Sequence, residues 1–181
     1  MMIRLALTGA SGTGKSTIAS HVAEHLSIPF CPVGSRSVAK DMGFNNPYDV
    51  DAAGRRVEFQ RRLLSSKLEW ELERQNFVTD RAYIDNLAYA MTHAPETASP
   101  VFIQSIRDAS RIHTHIVFCP ISAFHHVGND PARVPELKYH LEYERLLISL
   151  IGQHIRSAPV LWLTSPSHEE RLEQVEKFLR S

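Results

Sequence analysis

The sequence is poor in cysteine, has no excess of charge of either sign and contains no long apolar run. Its two cysteines, Cys31 and Cys119, lie in short apolar stretches, which favours buried reduced thiols over a disulfide. Lys plus Arg and Asp plus Glu are equal at 20 each, so the total charge gives no sign of nucleic-acid or anionic-membrane binding. No apolar run approaches the roughly 20 residues of a membrane-spanning helix, and no secretory signal pattern opens the chain. We therefore expect a single-domain cytoplasmic protein over residues 1–181, without a membrane partner.

The most informative stretch is a glycine-rich run at residues 9–17. It reads Gly9-Ala10-Ser11-Gly12-Thr13-Gly14-Lys15-Ser16-Thr17. The spacing from Gly9 to Gly14, Lys15 and Ser16 is that of a phosphate-binding loop. The preceding stretch, 3–8, is apolar and predicts a strand, and apolar residues follow the loop at helical spacing. This strand–loop–helix context predicts that backbone N–H groups and a helix N-terminus bind phosphate here.

Each residue type in the loop has a chemical role in that interpretation. Lys15 should reach the β- and γ-phosphates of a nucleotide, and Ser16 should hold a magnesium ion, which prefers hard oxygen ligands. The loop does not define the reaction, because kinases, ATPases and GTPases share it. The other candidates for nucleotide binding are Gly9, Ser11, Gly12, Thr13, Gly14 and Thr17.

Five short apolar stretches alternate with helical patterns along the chain. This alternation predicts an α/β fold with a parallel sheet, helices on both faces, and ligands at the carboxyl ends of the strands. The predicted strands are residues 3–8, 28–33, 76–81, 114–120 and 160–164.

Two of the predicted helices matter for the interpretation. One spans 51–76, and we interpret its basic residues as a solvated face rather than a nucleic-acid patch. They are Arg55, Arg56, Arg61, Arg62 and Lys67. The other follows the loop at 121–135 and has Leu137, Leu141 and Ile148 at helical spacing.

Asp80 ends the third predicted strand and is the natural partner of Ser16. In phosphate-loop enzymes an acidic residue at this place holds magnesium, directly or through water. It would also serve as a helix N-cap, because a helical pattern begins just after it. Arg81 follows where mechanical ATPases usually carry a water-activating glutamate, which favours a kinase.

The long loop at 121–135 is a candidate lid, since long loops in compact domains often close over a site. Arg133 in this loop could neutralise charge on the transferring phosphoryl group. Several histidines, in contrast, lack the ligand spacing of a metal site, and we expect them to be structural or exposed. They are His113, His115, His125 and His126.

Three stretches together, residues 9–17, 77–90 and 129–133, resemble the small P-loop kinases. The resemblance is closest to the AAA-type NTPase/kinase group that includes nicotinamide-riboside-kinase-like domains. Deoxynucleoside and thymidylate kinases are more distant, and similar small kinases in viruses modify 5-hydroxymethyl pyrimidines in DNA. The resemblance implies a three-layer P-loop NTPase fold with a five-stranded parallel sheet ordered 2-3-1-4-5. It also implies ATP with Mg²⁺, a hydroxyl acceptor, and catalytic roles for Lys15, Asp80 and Arg133.

The acceptor side departs from that family pattern. Such kinases often carry an acidic residue just after strand two, where this chain has Gly34-Ser35-Arg36. Asp80, Asp41 and Asp85 remain candidates for the base, in that order, and Arg36 suggests an anionic acceptor.

The predicted substrate contacts are Arg36, Asp41, Arg81 and Asp85. The acceptor is either a free nucleoside or nucleotide, or a 5-hydroxymethyl pyrimidine such as 5-hydroxymethyluracil in viral DNA. A regulatory ATPase without an acceptor is the alternative, and the oligomeric state, with a homodimer as one option, is left open by the sequence.

Overall fold

The computed structural model describes residues 2–126, 128 and 135–181. Within these residues, four strands alternate with helices along the chain. The strands are β1 (Arg4–Thr8), β2 (Phe77–Asp80), β3 (His115–Phe118) and β4 (Val160–Trp162). The helices are α1 (Lys15–His25), α2 (Ser35–Asp41), α3 (Pro47–Ala52), α4 (Arg56–Leu72), α5 (Tyr83–His93), α6 (Pro100–Ser110), α7 (Leu137–His154) and α8 (His168–Leu179), with a 3-10 turn at Pro95–Thr97.

The strands form one parallel sheet in the order β2-β1-β3-β4. Leu7 lies beside Asp80, and Thr8 lies beside Phe118. The carboxyl ends of the three adjacent strands β2, β1 and β3 are therefore level, so the loops that follow them meet at one edge of the sheet. This alignment places the glycine-rich loop beside the end of β2.

The predicted five-stranded sheet with order 2-3-1-4-5 is corrected to these four strands. The expected second strand, residues 28–33, makes only one isolated bridge, between Phe30 and Val78. Its prolines at 29 and 32 have no N–H to donate, which keeps a longer ladder from forming. What remains is a pair of backbone hydrogen bonds, from Cys31 N to Val78 O at 2.8 Å and from Val78 N to Pro29 O at 2.9 Å.

Hydrophobic cores cover both faces of the sheet, as the predicted three-layer architecture requires. Alternation along β1 turns Leu5 and Leu7 to one face and Ala6 to the other. Leu5 and Leu7 pack in the cluster formed with α1 and α8, and Ala6 packs in the cluster formed with α5, α6 and α7. Cys31 and Cys119 are buried and free, which confirms the expectation of reduced thiols. In the described part of the chain, no helix has the length and apolar character needed to cross a membrane.

Two predicted helices differ from the structure in detail. The helix expected over 51–76 is two helices, α3 and α4, which are separated by a turn in which Gly54 has a φ of 66°. In α7, the residues that defined the predicted apolar stripe, Leu137, Leu141 and Ile148, are exposed. The buried face of α7 is instead formed by His140, Tyr143, Leu147, Leu150 and Ile151. Apolar residues occupy both faces of this helix, so spacing alone could not identify the inner one.

Candidate active site

The glycine-rich loop connects β1 to α1 and passes unusually close to the end of β3. Gly9 has a φ of 142°, and a Cβ at this position would lie 2.4 Å from the Cys119 carbonyl oxygen. Gly14 has a φ of 78° and forms the N-cap of α1. A side chain at either position would strain or displace the backbone. The glycines are therefore required for the loop to place its N–H groups at the start of α1.

Lys15 folds back over this loop. Its side chain is buried, with 5% of the residue exposed, and Nζ donates hydrogen bonds to the Ala10 carbonyl at 2.5 Å and to Thr13 Oγ1 at 3.3 Å. Burial, together with the nearby charge of Arg81, lowers the pKa of Lys15 to about 8, although the charges of Asp80 and Asp85 partly oppose both effects. The Thr13 hydroxyl itself donates to Ala10 O at 3.0 Å, so it is engaged within the loop.

Ser16 and Asp80, which the sequence predicts to share a magnesium ion, are in direct contact. The Ser16 hydroxyl donates a hydrogen bond to Asp80 Oδ2, whereas Asp80 Oδ1 is buried and has no partner among the described residues. Burial raises the pKa of Asp80, but the positive charges of Lys15 and Arg81 and the Ser16 hydroxyl outweigh it and hold the pKa below its ordinary value. A charged carboxylate with a free lone pair beside a hydroxyl is a donor set that fits magnesium.

Arg81 reaches from the end of β2 to the glycine-rich loop. Its Nη2 donates to Ser11 Oγ at 3.3 Å, and its Nη1 lies 3.3 Å from Asp85 Oδ1. The guanidinium also stacks on the Tyr89 ring, 4.9 Å from the centroid. The structure therefore places a second positive charge, besides Lys15, at the phosphate-binding loop.

Asp85 is buried, and its carboxylate is already saturated. Oδ2 accepts a hydrogen bond from Ala82 N at 3.1 Å, which closes the N-terminal turn of α5. Oδ1 accepts from Arg81 and, at 3.4 Å, from the Tyr143 hydroxyl. Asp85 therefore orients Arg81 and ties it to α5 and α7.

Three predicted site residues belong to other parts of the chain. Arg36 and Asp41 are exposed at opposite ends of α2, which packs against α3 and α4. Arg133 lies outside the described residues. The structure thus brings together Lys15, Ser16 and Asp80 with Arg81 and Asp85, and it leaves the acceptor roles of Arg36 and Asp41 as predictions.

Comparison with known families agrees with this arrangement. A family model described as an AAA domain matches residues 4–171. The chain belongs to this AAA domain family. The resemblance to small P-loop kinases that the sequence motifs predicted is thereby confirmed at the level of family and fold. A search among curated proteins finds no significant match.

Solved proteins, two of them kinases, share the fold of this AAA domain over nearly its whole length. Deoxyadenosine kinase from M. mycoides with bound dATP is 16% identical, with a TM-score of 0.66 and coverage of 98% of this chain and 99% of that one. Shikimate kinase from Aquifex aeolicus is also 16% identical, with a TM-score of 0.62 and coverage of 98% and 96%. NadR protein in complex with NR is 17% identical, with a TM-score of 0.69, and covers 99% of this chain but 52% of NadR. At these identities the likeness establishes the fold.

The AAA domain has an aromatic wall beside Arg81 that the sequence motifs did not reveal. The rings of Tyr89 and Tyr143 lie 4.9 Å apart between centroids. His93 Nε2 and the Tyr139 hydroxyl are hydrogen-bonded at 2.7 Å. The spacing could have revealed the wall, since Tyr89 and His93 on α5 and Tyr139 and Tyr143 on α7 are each four residues apart.

Residues that follow β3 and lie on α8 support the loop from the other side. His126 N donates to Gly12 O at 2.8 Å. Arg171 is buried, donates from Nη1 to Thr13 O at 3.3 Å, and lies over the Phe124 ring at 4.7 Å. No motif pointed to Arg171, because its partners are distant in sequence.

Lys67 is the clearest correction to the predicted basic face of α4. Arg55 and Arg62 pair with Glu58 at 2.8 and 2.9 Å in partly solvated positions, as predicted for that face. The Lys67 side chain, however, is buried and lies close to Glu71. His113, one of the histidines expected to be structural or exposed, is also buried and bonds to Glu71. Within the described residues no three His, Cys, Asp or Glu side chains are grouped as a metal site would require.

Proposed function

We propose that this AAA domain is an ATP- and Mg²⁺-dependent kinase that transfers the γ-phosphoryl group to a hydroxyl of a nucleoside-type acceptor. The observation that carries the proposal is the convergence of two cations, Lys15 and Arg81, on a glycine-rich loop that also faces the Ser16–Asp80 oxygen pair. The position after Asp80 holds Arg81 rather than a water-activating glutamate. This combination supports phosphoryl transfer to an alcohol over hydrolysis.

Each side chain of the site has its own role in neutralising the charge of the phosphates. Lys15 exchanges its hydrogen bond to Ala10 O for a phosphate oxygen, and loop N–H groups donate to the other oxygens. Ser16 and Asp80 hold Mg²⁺, which when bound neutralises charge on the phosphates. Arg81 adds positive charge from the β2 side. Arg133, in the predicted lid, would add positive charge near the transferring phosphoryl group. This role stays a prediction.

Asp80 suits the metal role better than the base role. Its lowered pKa means that the carboxylate holds a proton poorly. Phosphoryl transfer depends mainly on positioning and charge, so a strong base is not required. Among the other candidates for the base, Asp85 is saturated by Arg81, Ala82 and Tyr143. Asp41, which is exposed at the end of α2, stays a candidate for the base.

The aromatic wall supports a nucleoside-type acceptor. Tyr89 is only partly buried and presents aromatic surface for a planar base next to the Arg81 charge, whereas Tyr143 is buried behind it and supports its ring. One similar structure, the deoxyadenosine kinase, acts on a nucleoside according to its name and carries bound dATP. The pairing of Arg55 and Arg62 with Glu58 favours a free acceptor over a base within DNA, because it leaves α4 less basic.

The proposal is tested by incubating the protein with γ-labelled ATP and Mg²⁺ and three acceptor classes. These are nucleosides, nucleoside monophosphates and DNA that contains 5-hydroxymethyl pyrimidines. We expect label on a free nucleoside or nucleotide, and loss of transfer in Lys15→Ala and Asp80→Ala. Label on the DNA would reassign the acceptor, whereas steady release of labelled phosphate without any labelled acceptor would favour a regulatory ATPase. The cytoplasmic location and the oligomeric state remain predictions.

A further inference from the structure

Arg81 adopts a left-handed backbone conformation that arginine rarely takes. Its φ is 78°, a region in which a residue with a Cβ is strained. This turn lets Asp80 reach Ser16 while the Arg81 guanidinium reaches Ser11. Strained residues persist only where surrounding contacts enforce them. A contact from outside the turn should therefore hold the Arg81 backbone.

The ammonium group of Lys67 makes such a contact. Lys67 lies on α4 with 2% of its surface exposed, and its Nζ donates a hydrogen bond to the backbone carbonyl of Arg81. Nζ also lies 5.4 Å from the centroid of the Tyr83 ring. Helix α4 is thus fastened to the residue that directly follows Asp80.

Glu71, one turn further along α4, orients Lys67. Its Oε1 lies 3.9 Å from Lys67 Nζ. Its Oε2 accepts hydrogen bonds from the Tyr83 hydroxyl at 2.7 Å and from His113 Nε2 at 3.1 Å. Burial raises the pKa of Glu71, but His113, Lys67 and Tyr83 outweigh this effect and hold the pKa below its ordinary value. The carboxylate therefore stays charged opposite the ammonium group.

We propose that Lys67 is a positioning residue for phosphoryl transfer, which holds the Arg81 peptide in its left-handed conformation and so directs the Arg81 guanidinium to the glycine-rich loop. The inference rests on the proposed kinase activity and adds a residue that does not touch the nucleotide. Without the Lys67 hydrogen bond the Arg81 backbone relaxes towards ordinary dihedral angles, and its side chain leaves Ser11. This positioning role explains why the Lys67–Glu71 pair is buried directly behind Arg81.

The test uses Lys67→Met, which keeps an unbranched side chain of nearly the same length but removes its donors. A second variant, Lys67→Met with Glu71→Gln, avoids leaving an unpaired buried carboxylate. Both are made in the wild-type chain and in Arg81→Gly, since glycine tolerates the left-handed conformation without a guanidinium. The matched control is Lys138→Met, because Lys138 forms an exposed pair with Glu142 at the same four-residue spacing.

We expect each Lys67 variant to lower kcat by about ten- to hundredfold, the loss typical of a misplaced catalytic group, with the Kd for ATP nearly unchanged. Hydrogen exchange of the amides at 82–85 should become faster, while that of β3 stays the same. In the Arg81→Gly chain the Lys67 substitutions should cause no further fall in kcat. Lys138→Met should leave kcat and exchange unchanged.

Two results would overturn the inference: wild-type kcat in both Lys67 variants, or an equal fall in kcat when Arg81 is already glycine. A purely structural role would produce the second result, because it would not depend on the guanidinium. If the wild-type protein transfers phosphate to no acceptor, the proposed function fails separately. Exchange at 82–85 then tests only the contact of Lys67 with the Arg81 backbone: faster exchange in the Lys67 variants supports this contact, and unchanged exchange refutes it.

Discussion

Replacing Lys15 by methionine should make the nucleotide-free protein more stable while abolishing its activity. The lysine is buried in the absence of a phosphate partner, and burial lowers its pKa from 10.5 to about 8. At about 1.4 kcal/mol for each tenfold change in proton affinity, this shift corresponds to about 3 kcal/mol of destabilisation at pH 7. Losing the hydrogen bond from Nζ to Ala10 O offsets about 1 kcal/mol of the gain. The expected net increase in the free energy of unfolding is about 2 kcal/mol.

The pH dependence of this gain has a definite sign. Below pH 8 the folded and unfolded states both carry the charged lysine, so the full penalty applies to the wild-type protein. As the pH rises from 8 towards 10.5, the folded state has already released the proton and the penalty declines. The advantage of Lys15→Met should therefore shrink by about 1 kcal/mol between pH 7 and pH 9.

Thermal and denaturant unfolding without nucleotide measure the effect directly. A gain of about 2 kcal/mol corresponds to a rise in Tm of about 4–8 °C for a chain of this size. Lys177→Met, at an exposed position on α8, serves as the control and should change stability by less than about 0.5 kcal/mol. Addition of Mg-ATP should raise the Tm of the wild-type protein but not that of Lys15→Met. A variant that is less stable than wild type at pH 7, or whose gain does not fall with pH, would refute the reasoning.

Three further substitutions test the site. Gly9→Ala should lower the free energy of unfolding by about 2–4 kcal/mol in denaturant titrations, because its Cβ meets the Cys119 carbonyl. Gly152→Ala, with open space around it, should instead raise the free energy of unfolding by up to about 1 kcal/mol. Equal effects of the two substitutions would contradict the geometry. Asp80→Asn should reduce transfer by at least about 100-fold and weaken Mg²⁺ activation, so wild-type Mg²⁺ dependence would exclude the metal role. Tyr89→Ala should raise the KM for the acceptor more than it lowers kcat, and an unchanged KM would remove the aromatic wall from the acceptor site.

The donor side of the site could be predicted because its signals are local. The glycine spacing, Lys15 and Ser16 lie within one short strand–loop–helix segment, and the chemistry of phosphate fixes each residue type. Asp80 was found from its place at the end of an apolar strand. Parallel strands bring such ends together, so one tertiary contact could be deduced from two local patterns.

The rest depended on contacts between residues that are distant in sequence. Lys67 was placed with its basic neighbours because lysine is usually solvated, whereas its burial depends on Glu71 and on the backbone of Arg81. The strand expected at 28–33 has apolar residues, but its prolines have no N–H groups to donate. It therefore forms only a bridge with Val78. The periodic spacing of apolar residues predicts neither the burial of Lys67 nor the short pairing of residues 28–33.

The single bridge at Phe30 leaves the segment that follows it weakly tied to the sheet. The helices that follow it have a small core of their own, which includes Val38, Val50 and Phe59 and is distinct from the two cores of the sheet. Only two backbone hydrogen bonds join the 28–33 segment to β2, which corresponds to about 1–3 kcal/mol of stabilisation. Residues 34–54, which carry the predicted acceptor contacts Arg36 and Asp41, are thus held mainly by packing on α4, whose Phe59 lies in the same small core. We expect selection or design to replace this segment, and with it the choice of acceptor, while the phosphate-binding half of the molecule is inherited unchanged.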